Sequence, residues 1–332
     1  WLKDEKDDLY DPTYTDMLRV SFGYEFQRGK MADLVSLLSG RNFETKNYEE
    51  SIAEDTYLRM GGSILEFMNE SHFKKFIMII RSSGFLIPEM IRSQNSLNFA
   101  YIIYLNLKKN GMQQALIERL VRRWFVYSVL TSRYGGSPES TIDYDMKQIA
   151  AKSFQEYLEL VEQAELNDSF WKFGLIQRLD TSAGNSPFFN LFLASMIKNN
   201  DKGFLSRDIT VQSLVETRGD IHHIFPRAYL KSNNRKRGDY NQVANLVMMQ
   251  QEINIAIGQK SPDKYFKEIK EQCSGGKHKY GGIDSMEELH QNLKTHCIPE
   301  SIFEMNNDHY EDFLKERRGL ISEKIRKYYE RL

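Results

Sequence analysis

From Tyr14 to Lys198 apolar residues return every three or four positions, a spacing that leaves room for little besides helices. An α-helix turns once in about 3.6 residues, so this rhythm gathers apolar side chains on one stripe that must be buried against a neighbour. Leu116, Leu120, Trp124 and Tyr127 form such a stripe, while Glu118, Arg119, Arg122 and Arg123 fall largely off it. The stretch from Tyr134 to Pro138, with Gly135 and Gly136, interrupts the rhythm and reads as a loop before another helix from Asp145 to Leu166. A helical domain over residues 1–203 is expected.

After Gly203 the texture changes to short apolar pieces, close-set His and Asn, and a polar basic loop from Lys231 to Asp239. Asp220 to Phe225 and Ala244 to Met249 are permissive for β-structure and predict a pair of strands, the first stopped by Pro226. A covering helix should follow. Ser261 before Pro262 has the form of an N-cap and first helical position, predicting a helix toward Glu271. Ser274 to Ile283, rich in Gly and Lys, reads as a mobile surface loop. Tyr310, Phe313, Leu314, Ile321, Ile325 and Tyr328 then mark a terminal helix whose apolar stripe docks back onto the body. The expected class is mainly α with a small α+β part, the second domain occupying residues 204–332.

Charge bears on function only when counted by region. The whole chain carries a formal −1, but residues 217–280 hold twelve Lys and Arg against six Asp and Glu, a local excess that surrounds the close-set His and Asn. No apolar run approaches the roughly 18 residues a membrane span requires, and a mean hydropathy of −0.55 points to a soluble chain. Two cysteines, Cys273 and Cys297, exclude a disulfide framework and suit a reducing compartment. The chain opens on Trp1 with no charged-then-apolar leader, so it reads as a piece of a longer protein without an export signal. A cytoplasmic location is expected.

The run Asp220-Ile221-His222-His223-Ile224-Phe225-Pro226, followed by Asn245 and Asn254, suits phosphodiester hydrolysis. That reaction needs a neutralised developing oxyanion and leaving group, and a base for a water that bulk solvent does not activate at neutral pH. Adjacent residues on a regular strand face opposite ways, so His222 and His223 share one site only near a strand end or bulge. A helix crossing the strands would bring the amide oxygen of Asn254 beside the imidazole of His222 to hold a divalent metal, leaving His223 as the base. Asp220 is a candidate supporting group for that pair.

These residues resemble the HNH, or ββα-metal, endonuclease motif in the form found in DUF1524 domains. The resemblance implies that His223, before Ile-x-Pro, is the general base and that His222 binds the metal. It further implies that Asn245 braces the loop bearing the base, that Asn254 is the second metal ligand, and that Lys260 contacts phosphate. Many relatives have Asp where His222 stands and others have His where Asn254 stands. The cofactor is therefore expected to be one divalent ion, Mg²⁺ first, with Mn²⁺ or another ion as the alternative. Ser96 to Leu105, Arg122 to Asp145 and Phe313 to Tyr328 look like the helical portion joining a DUF262 domain to DUF1524. GmrSD-like type IV restriction enzymes, which cleave modified phage DNA, belong to that group. On this resemblance the chain would lack an amino-terminal DUF262 sensor, and its partner would be DNA, foreign or modified.

Lys231, Arg235, Lys236 and Arg237 lie between the motif halves and are candidates for salt-sensitive contact with the DNA backbone, joining Lys260. Arg122, Arg123, Arg317 and Arg318 are assigned instead to ordinary amphipathic helices. Cys273, His278, His290, His296 and Cys297 are scattered without finger spacing, so structural zinc is not expected. His72 and His309 have no partner nearby in sequence. Two other classes compete with a DNA endonuclease: a catalytically silent helical module that binds DNA or a partner, and an RNA-directed nuclease. Double-strand cutting from a single site usually needs two active sites, which adds a homodimer during cleavage as a companion expectation.

Overall fold

The structure, a computed structural model, describes residues 9–182, 184–217 and 219–332. Trp1 lies outside them. The chain divides into two compact units, one ending at Leu166 and the other running Asn167–Arg331.

The first unit is built from helices, among them Tyr14–Phe26, Glu50–Phe67, Glu70–Ser82, Gln94–Lys109, Gln114–Thr131, Pro138–Ala151 and Phe154–Glu165. Gln94–Lys109 is buried almost all round and packs against Tyr14–Phe26 and Gln114–Thr131. The stripe of Leu120, Trp124 and Tyr127 faces inward as its spacing predicts. Trp124 lies among Phe99, Tyr127, Phe154 and Tyr157, with ring centroids 5.3–5.7 Å away. The helix expected from Asp145 to Leu166 is two helices instead. It starts earlier, at Pro138, and breaks at Lys152 and Ser153, where a capping box opens a new helix. Ser153 Oγ accepts the Glu156 N–H at 3.2 Å, and the Glu156 carboxylate accepts the Ser153 N–H at 3.0 Å.

The second unit begins earlier than the expected 203/204 boundary. Residues 167–198 share the helical texture of what precedes them, but they belong to the second compact unit. Leu175–Arg178 and Pro187–Lys198 pack on the terminal helix Tyr310–Glu330, and Ser322 Oγ donates to Trp171 O at 2.6 Å. Periodicity reports that a helix has a buried face, and not which core receives it.

Two antiparallel strands, β1 (Ile221–His223) and β2 (Leu246–Met248), pair Ile221 with Met248, His222 with Val247 and His223 with Leu246. Both are shorter than their β-permissive runs. The Ile224 N–H still reaches Asn245 O at 2.9 Å, but the next N–H, that of Phe225, is taken by the Asn245 side chain and the ladder ends. Helix Gln251–Ile257 follows β2 directly, so the order strand, strand, helix stands as expected. The basic stretch expected as a loop carries two short helices, Arg227–Ser232 and Arg237–Tyr240. Helix Pro262–Cys273 starts where the Ser-Pro pair places it and runs past Glu271, although the Ser261 side chain makes no capping bond. Around this unit Phe225, Val247, Ile253, Tyr265, Phe266, Tyr310 and Phe313 belong to one hydrophobic core.

The Gly- and Lys-rich segment Ser274 to Ile283 is irregular, but it is not merely a surface loop. Tyr280 and Ile283 are buried in that core. The Gln272 carboxamide donates to Tyr280 O and Ile283 O and accepts the N–H groups of Lys279 and Tyr280. Gly281 has φ +60°, and a Cβ there would meet Leu205 O at 2.2 Å, so this crossing requires glycine.

Candidate active site

His222 and His223 are the last two residues of β1, and the rings are close enough for His222 to disfavour the His223 imidazolium. His222 is buried and His223 half-buried. Burial disfavours the charged form of both and lowers their pKa values. At His222 the Asp220 carboxylate partly opposes burial. At His223 the bond to Asn241 opposes it, while Arg227 and His222 reinforce it. Both are thereby biased toward the neutral imidazole, the form in which a histidine binds metal or accepts a proton.

Asn245 is fully buried. Its Oδ1 accepts the Phe225 N–H at 2.8 Å, while its Nδ2 donates to Phe225 O at 3.1 Å and Tyr240 O at 3.0 Å. Three main-chain groups on both sides of the insertion between the strands thus converge on one carboxamide. Tyr265 adds a bond from its hydroxyl to Ile224 O at 3.0 Å. The backbone leaving His223 is held from residue 224 to 225 by side chains.

Nε2 of His222 is buried and has no hydrogen-bond partner among the described residues. An orphaned polar atom of this kind costs about 1–3 kcal/mol unless something engages it. Asn254, half-buried on the second turn of Gln251–Ile257, makes no side-chain hydrogen bond among the described residues. An unpartnered imidazole nitrogen and a carboxamide oxygen are each donor types that a divalent ion accepts. Among the described residues no group of three or more His, Cys, Asp and Glu is placed to hold a metal. Asp220 is exposed.

The five basic candidates divide. Lys231, Lys236 and Arg237 are exposed and form no ion pair among the described residues. Arg235 is instead turned to the start of the terminal helix, bonded to Glu311 and to Asn307 Oδ1, over the ring of Tyr310. Lys260 is bonded to Glu268 at 2.9 Å and to the Tyr280 hydroxyl at 2.6 Å; Lys279 shares the same carboxylate. That carboxylate is held down to about 2 by its bonds to Lys279 and Tyr280 and, beyond them, to Lys260.

Three residues of the region escape sequence reasoning. Asn241 bonds to the His223 ring through Oδ1, 3.0 Å from Nε2. Nothing in its spacing marks it. Arg227 is exposed and near enough to disfavour the His223 imidazolium. Arg317, assigned by sequence to an ordinary amphipathic face, is fully buried; it donates to Ala244 O at 2.7 Å, Leu246 O at 2.9 Å and His296 O at 3.1 Å. Its spacing from Phe313, Leu314 and Ile321 is the one signal that points to this burial.

No family model matches the chain, and no solved structure matches it. An uncharacterized protein of Methanocaldococcus jannaschii is 29% identical over 220 residues, which are 62% of this chain and 36% of that protein. The similarity thus spans about a third of the relative's length. Among the described residues no helix is long and apolar enough to cross a membrane.

Proposed function

We propose that the second unit is a divalent-metal-dependent phosphodiesterase of the ββα type. The particular activity we propose is DNA endonuclease, the nuclease portion of a modification-dependent, type IV-like restriction or anti-phage protein of the DUF262/DUF1524 kind. One observation carries the reading. Two histidines biased toward the neutral form end a strand whose exit is braced by the buried Asn245, and the partner strand runs straight into the helix holding Asn254.

His223 takes a proton from water as the water oxygen attacks phosphorus and one P–O ester bond breaks. His222 and Asn254 would hold a divalent ion, which would supply positive charge to offset that developing in the reaction. Asn245 keeps the exit of β1 in place so that the imidazole does not swing with the loop. Lys231, Lys236, Arg237 and Arg227, free of carboxylate partners among the described residues, attract the phosphate backbone without reading sequence.

The test is nicking and linearisation of supercoiled plasmid at low salt with Mg²⁺, Mn²⁺ or EDTA, beside His223→Ala. Metal-dependent nicking that disappears in the variant supports the nuclease and its base. Retained nicking in the variant removes His223 from the role. DNA binding without cleavage across metals and modified or unmodified substrates favours the silent binding module, and cleavage of RNA alone favours the RNA-directed enzyme. Thermal melting supplies a separate reading of the metal site: a divalent ion should raise the Tm of the parent chain and not that of His222→Ala.

A further inference from the structure

The imidazole of His223 is contained by two consecutive residues at the end of the short helix Arg237–Tyr240. The Tyr240 ring meets it edge-on, with centroids 6.2 Å apart, and Asn241 Oδ1 lies 3.0 Å from its Nε2. This wall is not free to drift. The Asn241 N–H is bonded to Arg237 O at 3.2 Å, and Tyr240 O receives the Asn245 carboxamide that also grips Phe225. One buried asparagine therefore ties the wall to the backbone leaving the base.

A carboxamide oxygen accepts and has no hydrogen to give, so the ring nitrogen facing it must carry the hydrogen. In a neutral imidazole the other nitrogen then bears the lone pair. We propose that Asn241 is a positioning residue that fixes His223 as the Nε2–H tautomer, leaving Nδ1 as the atom that takes the proton from the attacking water. The proposal rests on the nuclease reading above and adds to it a residue and an atom. Without this hydrogen bond the ring is free to exchange tautomers and to rotate about its Cβ–Cγ bond, and the fraction of enzyme with a correctly aimed lone pair falls.

The experiment pairs a spectroscopic readout with a kinetic one on the full chain. Ring ¹⁵N signals of His223, identified by their loss in His223→Ala, should show a protonated Nε2 and an unprotonated Nδ1 in the parent. Asn241→Leu should replace them with tautomer-averaged signals. In plasmid nicking, Asn241→Leu should lower kcat about 10–100-fold with little change in KM, by analogy with other outer-shell partners of histidine. Asn241→Asp, which again presents an oxygen to Nε2–H, should recover most of kcat. A protonated Nδ1 in the parent, or Asn241→Leu nicking at the parental rate, overturns the proposal. A parent with the Nε2–H tautomer that cleaves no nucleic acid also overturns it, and shows that the nuclease reading failed while the hydrogen bond itself stands.

Discussion

Asn245 grips the main chain of Phe225 from both sides, accepting its N–H at 2.8 Å and donating to its carbonyl at 3.1 Å. The same carboxamide reaches Tyr240 O, so one side chain substitutes for the β-ladder where the ladder stops. Asn245→Ala leaves three buried main-chain groups to find other partners, at a cost of about 2–4 kcal/mol after partial relaxation. Asn245→Asp is expected to be at least as damaging, because a carboxylate accepts from Phe225 N–H but faces two carbonyls with no hydrogen to give. Urea titration of both variants checks this; an Asp variant as stable as the parent would mean that the two carbonyl bonds contribute nothing.

Arg317 presents a second case of a side chain holding β2. Its guanidinium is fully buried with no carboxylate partner among the described residues, and burial lowers its pKa to about 10, so it remains protonated at neutral pH. Three backbone carbonyls take its hydrogens in a forked geometry. Arg317→Met should cost about 3 kcal/mol by stranding those carbonyls, and Arg317→Lys should not restore the parent, because an ammonium cannot span both strand and loop. Equilibrium unfolding of the pair decides it, with Lys rescue as the result that would reduce the role to charge alone.

The legible parts of this chain are those governed by local rules. The stripe through Trp124, the strand pair and its order before a helix, the start at Pro262 and the terminal helix all follow from periodicity, Pro placement and turn residues. The Ser153/Glu156 capping box is equally local, and periodicity without it merges two helices into one. What is not legible depends on residues far apart in sequence. Residues 167–198 look like their predecessors, and only packing on Tyr310–Glu330 assigns them to the second unit. Lys260 stands at a motif position, yet Glu268 and Tyr280 occupy it. Asn241 lies eighteen residues from the histidine it touches. His222, His223, Asn245 and Asn254 stand out because their spacing resembles a motif; Asn241 and Arg227, which touch or bias His223, do not.

The division among the basic residues leads to different expectations for each. Replacing Lys231, Lys236 or Arg237 by Ala should weaken DNA binding similarly across sequences and reduce the slope of log K against log salt by about 1 for each phosphate left without its cation. Lys260→Ala should leave that slope near the parental value and instead lower stability slightly through Glu268. Binding isotherms over a range of NaCl separate the two groups, and a slope change at Lys260 as large as at Arg237 would return it to the residues proposed to contact DNA.

Acid sensitivity should centre on His296. Its ring is fully buried, Nε2 lies 2.8 Å from Lys202 O, and burial, with Lys324 and Arg317 close by, pushes its pKa down to about 3. In the unfolded chain the group returns to about 6.5. The folded state thus binds fewer protons than the unfolded state between those values, and stability falls as pH drops below about 6.5; above about pH 7 the ring is neutral in both states and contributes no slope. From this one group the loss should approach about 1.4 kcal/mol per pH unit, or roughly 2–3 kcal/mol by about pH 4.5. His296→Gln keeps a donor for Lys202 O but takes no proton. Denaturant unfolding at about pH 7.5 and about pH 4.5 should show a smaller acid loss in the variant by that difference, carboxylate contributions being common to both chains. Equal losses would mean that the ring is protonated in the folded chain, and that the cluster of His296, Arg317 and Lys324 relaxes to admit a further charge.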